Sequence, residues 1–395
     1  MKRIVKNNVS WIGKIDWELK HFHGDDYSVH HGSSQNAYLI EEEKTVLIDT
    51  IWKPHDKEFL ANLEKEINPK RIDFIVVNHG EVDHSGALPY LMEQIPDTPI
   101  YCTANAVKSL VGQYHNPNWN FKVVKTGDSI DIGNSKKLIF VEMRMLHWPD
   151  SMATYLTGDN ILFSNDAFGQ HYSVEELFNG KADQCLLWTE ALKYYANILA
   201  PFSPLVKRKI EEIVALNLPI DIIAPSHGAI WRDNPLQIVE KYAQWADDYQ
   251  EDQITIVYDT MWDGTKQLAH ALAKAIKAED SDTVVKVFNI SQTDKNDIMT
   301  EVFKSKALAL GSPTVGKSIL SSVAGWLHFL QELQMKKKKA AVFGCYGWSG
   351  EGNSILRDSL KLAGFSVVEP EMKVNWNPTE EHFSDMEGIA KALCE

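Results

Sequence analysis

No stretch of this 395-residue chain contains the roughly 18 consecutive apolar residues that a membrane span requires. The opening residues, MKRIVKNNVSWIGKIDW, contain two early basic residues but no apolar core of the kind a secretory signal has. The triplets Asn8-Val9-Ser10 and Asn289-Ile290-Ser291 are therefore not read as glycosylation sites. Cysteine is scarce. Cys102, Cys185, Cys345 and Cys394 are the four in the chain, and no two form a C-x-x-C pair, which excludes a thiolate zinc or iron–sulfur framework. Thiols this dispersed fit a reduced, cytoplasmic protein. Positive charge is also short: 40 Lys and Arg against 54 Asp and Glu leave a formal net charge of -14. That balance argues against nucleic acid or an anionic membrane as the main partner. Tandem repeats and low-complexity tracts are absent too.

What is present is a change of rhythm near residue 250. Before it, short apolar runs such as NAYLI, TVLIDT, DFIVV, PIYCTA, KLIFVE and NILFSND alternate with Gly, Asn and Asp turns, which predicts the strands of a sheet-rich fold. Helical patterns interleave at 54–67, 86–95 and 104–115, with a long one over 188–217. The segment 235–251 reads as a helix ending in a charged joint. Beyond it, ITIVYD, VVKVFNI, ALALGSP and AAVFGCYG each precede an amphipathic helical pattern, the signature of a doubly wound parallel sheet. Two domains are expected, 1–250 and 251–395, since a chain of this length exceeds one ordinary core.

Chemistry concentrates after the strand DFIVVN. There His79, Glu81, Asp83 and His84 place four potential ligands within six residues. Imidazole together with carboxylate suits iron, manganese or zinc. On a tight loop alternate side chains point to opposite sides, so one loop can serve two adjacent ions. His147 in MLHWPDS, Asp166 in LFSNDAFG and His227 in APSHG recur at later strand ends, where scaffolds display functional side chains. Any one of these histidines alone would more often be structural, since the chain has 14. In order with the 79–84 cluster they complete a set of four histidines and three carboxylates, with Asp166 as the natural bridge.

This order resembles the metallo-β-lactamase fold, an αββα sandwich with a dinuclear site at one edge. Hydrolases of that fold usually have His where Glu81 stands, and they bind zinc. An anionic oxygen there favours a harder, redox-active ion. With HWPDSM around His147 and FSNDAFG around Asp166, the pattern resembles flavodiiron proteins in particular. The resemblance implies one iron on His79, Glu81 and His147 and a second on Asp83, His84 and His227, bridged by Asp166. It also places His23 near the irons without making it a standard ligand.

The second half resembles flavodoxins. The strand ITIVYD runs into Thr260, Met261, Trp262, Asp263, Gly264 and Thr265 and then a helix, and such a hydroxyl-rich turn suits the FMN phosphate. Ser312, Pro313 and Thr314, and the run Gly344, Cys345, Tyr346, Gly347, Trp348, Ser349 and Gly350, are placed to flank the flavin ring. One motif competes. Gly311 to Ser318 formally matches the phosphate-binding pattern G-x-x-x-x-G-K-S, but it follows the third strand of its domain rather than the first. Val315, Gly316 and Lys317 also depart from the polar residues that similar flavoproteins carry there.

The combined expectation is a flavodiiron oxidoreductase: an N-terminal metallo-β-lactamase-like sandwich with two non-haem irons, followed by a flavodoxin-like domain with FMN. Its substrate is dioxygen or nitric oxide. Dioxygen is preferred here because Lys53, and Trp262 from a neighbouring chain, would give the pocket a bulky, basic rim. The resemblance further implies a head-to-tail homodimer or a dimer of dimers. The lack of C-x-x-C pairs implies an external donor such as rubredoxin or its reductase. A zinc hydrolase and a flavodoxin-like electron carrier are the alternatives.

Overall fold

The computed structural model describes residues 2–395. The chain divides into two compact units, one of Met1–Tyr194 and Phe202–Ala243, the other of Tyr195–Pro201 and Gln244–Glu395. The division thus falls a few residues before the joint read at 251. No helix among the described residues is long and apolar enough to cross a membrane.

In the first unit a seven-stranded sheet and a five-stranded sheet form two layers. The larger one runs Arg3–Lys6, Val9–Trp11, Tyr38–Glu41, Thr45–Ile48, Phe74–Val76, Ile100–Cys102, Phe121–Val123, and becomes parallel from Thr45–Ile48 onward. Successive side chains of a strand face opposite sides, and here both sides are apolar. Leu39, Leu47 and Ile75 join Leu60, Leu63, Ala106 and Leu110 from the covering helices Asp56–Glu66 and Ala104–Tyr114. Tyr38, Ile40, Val46, Ile48, Phe74 and Val76 meet Phe140, Met152, Phe163 and Ile222 of the second sheet. This is the expected sandwich, with the metal candidates on the loops at one end of its strands.

In the second unit the strand order is Val284–Asn289, Glu251–Tyr258, Ser305–Gly311, Lys339–Tyr346, and then Ser366–Val367 and Met372–Asn375, both parallel to Lys339–Tyr346. All pairings are parallel, which gives the 2-1-3-4-5 order of flavodoxin-like sheets. Leu268, Leu272 and Ile276 of helix Gly264–Glu279, with Met386, Ile389 and Leu393 of Glu380–Cys394, cover Ile254, Ile256, Ala309 and Phe343.

The long helix read over 188–217 is not continuous. It is an α-helix Gln184–Tyr194, a π-helical turn Tyr195–Leu199, a 3-10 turn Ala200–Phe202 and a second α-helix Ser203–Ala215. Pro201 and Pro204 lack the N–H that a continuous ladder needs. The π turn is also engaged elsewhere: Tyr195 packs its ring against Trp245 and Phe303, and the Asn197 amide donates to Asn296 O and Thr300 Oγ1 at 3.2 Å each. The pattern at 235–251 likewise shortens to Leu236–Trp245, and Glu251 opens a strand.

Candidate metal and flavin sites

Strand Phe74–Val76 ends in a buried hairpin of polar contacts that aims the first ligand loop. Asp49, buried at the end of Thr45–Ile48, accepts from Asn78 N at 2.7 Å and from Asn78 Nδ2 at 3.0 Å. Thr154 Oγ1 donates to Asn78 Oδ1 at 2.7 Å. Burial pushes the Asp49 carboxyl up, to about 6, against the lowering fields of His84 and His79. The next residue, His79, is fully enclosed, and its Nδ1 lies 2.9 Å from Asp150 Oδ1. Gly80 must be glycine for this to happen, because a Cβ there would come within 2.8 Å of Asp150 Oδ2. Instead its N–H donates to that oxygen at 3.1 Å.

The loop then enters the one-turn helix Val82–Ser85, so Asp83 and His84 face away from Glu81. Asn165, in the left-handed region at φ 59°, turns the chain off its strand and swings Asp166 inward; asparagine tolerates this backbone. His227 follows strand Ile222–Pro225, and its Nδ1 is 3.0 Å from Ser34 O. His79 thus turns Nδ1 toward Asp150 and Nε2 toward Glu81 at 3.2 Å, and His227 turns Nδ1 toward Ser34 O and Nε2 toward Asp83 at 3.0 Å. Both present Nε2 to the carboxylates of the site, an orientation that suits a metal ligand.

The seven residues form two adjacent sets. His79, Glu81, His147 and Asp166 gather their ligand atoms within 4.8 Å of one another, as do Asp83, His84 and His227. Asp166 faces both. Its Oδ2 is 3.7 Å from His79 Nε2 and 3.5 Å from His147 Nε2. Its Oδ1 is 3.1 Å from His84 Nε2 and 3.5 Å from His227 Nε2. A coordination polyhedron with bonds of about 2.1 Å has edges of roughly 3.0 to 3.4 Å; the Asp166–His84 separation lies in that range and the other three are slightly longer. Asp83 Oδ1, His84 Nε2 and Asp166 Oδ2 are buried without a hydrogen-bond partner, a costly state unless a cation completes it. Two divalent ions fit this donor set, and the three carboxylates offset most of their charge.

Without the ions, protons on the histidines balance the acids. Burial alone would raise the Asp166 and Asp83 carboxyls, but His84, with His147 at Asp166 and His227 at Asp83, holds them well below the usual range. Burial would lower His84, yet Asp166 and Asp83 raise it to about 9. His23 stands beside Glu81, Nε2 to Oε1 3.3 Å; burial would lower its pKa, but Glu81 together with the charges of Asp83 and Asp166 raises it. Lys53 opens a 3-10 turn whose backbone abuts Gly86, and among the described residues it makes no ion pair. Trp262 belongs to the second unit and is 85% exposed.

In the second unit the three flavin loops converge at the carboxyl ends of the strands. Gly264 closes the first loop onto the third: a Cβ there would lie 2.9 Å from Cys345 Sγ. Thr314 N donates to Cys345 O at 2.9 Å, and Gly352 N to Thr314 Oγ1 at 3.1 Å. The hydroxyls of Thr260 and Thr265 are buried with no partner, so they fit a phosphate that would accept from them. Met261 and Trp262 project outward, as does Trp348. The competing G-x-x-x-x-G-K-S reading fails on geometry. Val315 N and Ser318 N bond each other's carbonyls at 2.9 and 3.0 Å, a closed turn that leaves these two N–H groups unavailable to a phosphate.

These folds and donors are shared with known proteins. Residues 33–228 match the model of the ODP family beta lactamase, and residues 256–388 match the flavodoxin model. The anaerobic nitric oxide reductase flavorubredoxin of Aliivibrio fischeri is 53% identical over 390 residues, 99% of this chain and 77% of that protein. The chain belongs to the flavodiiron protein family. An anaerobic nitric oxide reductase flavorubredoxin from Escherichia coli is 54% identical over 381 residues, 96% of this chain and 79% of its own. Rubredoxin oxygen:oxidoreductase from Desulfovibrio gigas superposes with a TM-score of 0.96 at 33% identity, covering 100% of this chain and 98% of that one. The flavodiiron protein from Giardia intestinalis gives 0.94 at 28%, covering 100% and 96%. As a flavodiiron oxidoreductase the chain has FMN and two non-haem irons as its cofactors. Neither a zinc hydrolase nor a simple electron carrier is favoured by these relatives.

Sequence reasoning missed the residues behind the ligands. Asp150 stands three places after His147 in HWPDS, and Asp49 closes TVLIDT; both were visible as acids at strand ends. His171, wholly buried with Nδ1 2.8 Å from Ser33 Oγ and its ring 5.0 Å from that of His227, carried no local signal.

Proposed function

We propose that this flavodiiron protein reduces nitric oxide to nitrous oxide, taking electrons from a rubredoxin-type donor. The observation that supports the dinuclear reading is Asp166, whose two oxygens divide between two sets of ligand atoms. We assign His79, Glu81 and His147 to one iron, Asp83, His84 and His227 to the other, and Asp166 to both. Thr260 to Thr265 would hold the FMN phosphate, with Ser312 to Thr314 and Gly344 to Gly350 flanking the ring. When bound, FMN supplies single-electron transfer and the irons supply redox chemistry at open coordination positions.

The protein's own contribution is orientation, exclusion of water and proton supply. Asp150, 2.9 Å from His79 Nδ1, and Ser34 O, 3.0 Å from His227 Nδ1, orient the two rings. Joining two nitric oxide molecules into nitrous oxide and water consumes two electrons and two protons. His23, at hydrogen-bond distance from Glu81, is positioned to hold one of those protons. Lys53 is kept as a residue of the pocket rim, with Trp262 reaching it from a second copy in a head-to-tail dimer or dimer of dimers. The compartment proposed is the cytoplasm, since all four cysteines are free thiols.

Nitric oxide takes precedence over the dioxygen expected from the pocket rim because the relatives of about half identity carry that activity in their names. Dioxygen reduction is the second reading, supported by the Desulfovibrio gigas neighbour. Parallel anaerobic nitric oxide and aerobic dioxygen consumption by the iron- and FMN-loaded protein tests the choice. A tenfold or larger preference for nitric oxide is expected. The reverse preference would install the second reading, and zinc without flavin would overturn both.

A further inference from the structure

The first strand of the second unit ends in a carboxylate to which the flavin reading gives no role. Asp259 follows Glu251–Tyr258, and its own N–H donates to Gly311 O at 3.1 Å. It therefore sits between the first and third strands, where the 2-1-3-4-5 order reverses direction and ligands of such sheets bind. The side chain is only 6% exposed. Asp259 Oδ1 accepts from Thr260 N at 2.8 Å. Asp259 Oδ2 accepts from the hydroxyls of both Ser291 and Ser322.

Those three donors lie on three different segments. Thr260 opens the phosphate loop, Ser291 follows the neighbouring strand Val284–Asn289, and Ser322 is in the first turn of helix Ser321–Leu333. That helix is joined to the strand before it by the loop containing Ser312 to Thr314, and Leu320 N donates to Ser312 Oγ at 3.2 Å. One carboxylate thus ties the beginning of the phosphate loop to the helix that follows the other loop assigned to FMN. With its N–H engaged by Asp259, Thr260 has its hydroxyl buried and unpartnered, ready for an acceptor from outside the chain.

A negative group at this point opposes a phosphate dianion unless its charge is taken up, and an amide and two hydroxyls take it up here. What it gains is order. A loop whose donors are fixed before the ligand arrives loses less conformational freedom on binding. We propose that Asp259 is a positioning residue for FMN: a clasp that holds the phosphate loop in its binding conformation through Ser291 and Ser322. It need not touch the flavin. The proposal rests on the assignment of FMN to these loops.

The test is a fluorescence titration of the flavin-free full chain with FMN and, separately, with riboflavin, which lacks the phosphate. D259A is expected to weaken FMN binding about tenfold or more, the size expected when hydrogen bonds to a charged group are lost. Riboflavin binding should change less than threefold, so discrimination between the two ligands collapses. S291A/S322A should move FMN affinity in the same direction. A general loss of structure would instead weaken both ligands together and would overturn the positioning role, as would a D259A affinity for FMN within threefold of the parent. Should D259A fail to fold, the serine double variant decides alone by the same criteria. Failure of the unaltered chain to bind FMN would refute the flavin assignment itself, a result distinct from any of these.

Discussion

Asp150 Oδ1 lies 2.9 Å from His79 Nδ1, while its other oxygen accepts the N–H of Gly80 at 3.1 Å. One carboxylate therefore grips both the first metal-candidate histidine and the backbone beside it. Thr103 Oγ1 anchors Asp150 from behind by donating to its carbonyl at 3.0 Å.

Removing that grip should loosen the first iron selectively. Outer-shell partners of ligating histidines are worth about 10- to 100-fold in metal affinity or activity. D150A is expected to lose iron and activity in that range while FMN content stays at the parent level. D150N should be little better, because its single amide oxygen can face Gly80 N or His79 Nδ1 but not both, and its NH2 then meets the other nitrogen. Iron and flavin analysis of the same preparation checks this; iron retained in full with unchanged turnover would deny Asp150 the role.

Glu81 stands where the resemblance to zinc hydrolases of the metallo-β-lactamase fold leads one to expect His. Replacing it should therefore change the metal rather than abolish the site. Glu81→His removes an anionic oxygen and the partner of His23, which favours zinc over iron at the first position. The expected variant binds zinc alongside iron and falls at least tenfold in nitric oxide reduction. Metal analysis after expression with both ions present is the measurement. A variant that keeps two irons and full turnover would show the position to be indifferent.

The charge balance of the metal-free site predicts how its stability follows pH. His84 is raised to about 9 in the fold from an unfolded value near 6.5. Its contribution is complete below about 6.5 and disappears as pH rises through 9. The Asp83 and Asp166 carboxyls are depressed, so theirs is present above about 4 and lost as pH falls. Between those limits the metal-free protein should be most stable, with its melting temperature dropping from pH 6.5 to 9. Iron displaces the histidine protons, so the loaded protein should lack that alkaline decline. Parallel melting curves that fall together would contradict the account.

How far these features could be read from the sequence depended on where their signal lies. Candidate ligands such as His79 and Asp166 follow apolar strands, so a local pattern marks them, and all seven candidates come together in two adjacent sets. The two-layer sandwich and the parallel sheet were legible for the same reason, since each strand announces its burial through its own side chains. Asp150, Asp49 and Asp259 act on residues tens of positions away, and no local spacing reports such a meeting. The break at Tyr195–Leu199 escaped because its apolar residues keep a helical rhythm while Tyr195 and Asn197 find their partners at Phe303 and Asn296.

Lys338 offers a test of the second unit apart from its cofactor. The residue is 6% exposed, and its ammonium donates to three carbonyls, Tyr249 O and Phe303 O at 2.9 Å and Ser305 O at 2.7 Å. Burial pulls its pKa down to about 8 against the field of Asp248. Phe303 and Ser305 end the helix Lys295–Lys304 and open the next strand, so these carbonyls lie where a helix leaves its acceptors unpaired. Lys338→Met keeps most of the apolar stem but strands all three. Each buried acceptor left without a partner costs roughly 1 kcal/mol or more, so about 3 kcal/mol or more should be lost. Release of FMN on heating would then come several degrees earlier, while the iron content measured before heating stays unchanged. An unshifted release temperature would mean that water replaces the ammonium without loss, and that this lysine is not what secures the helix end.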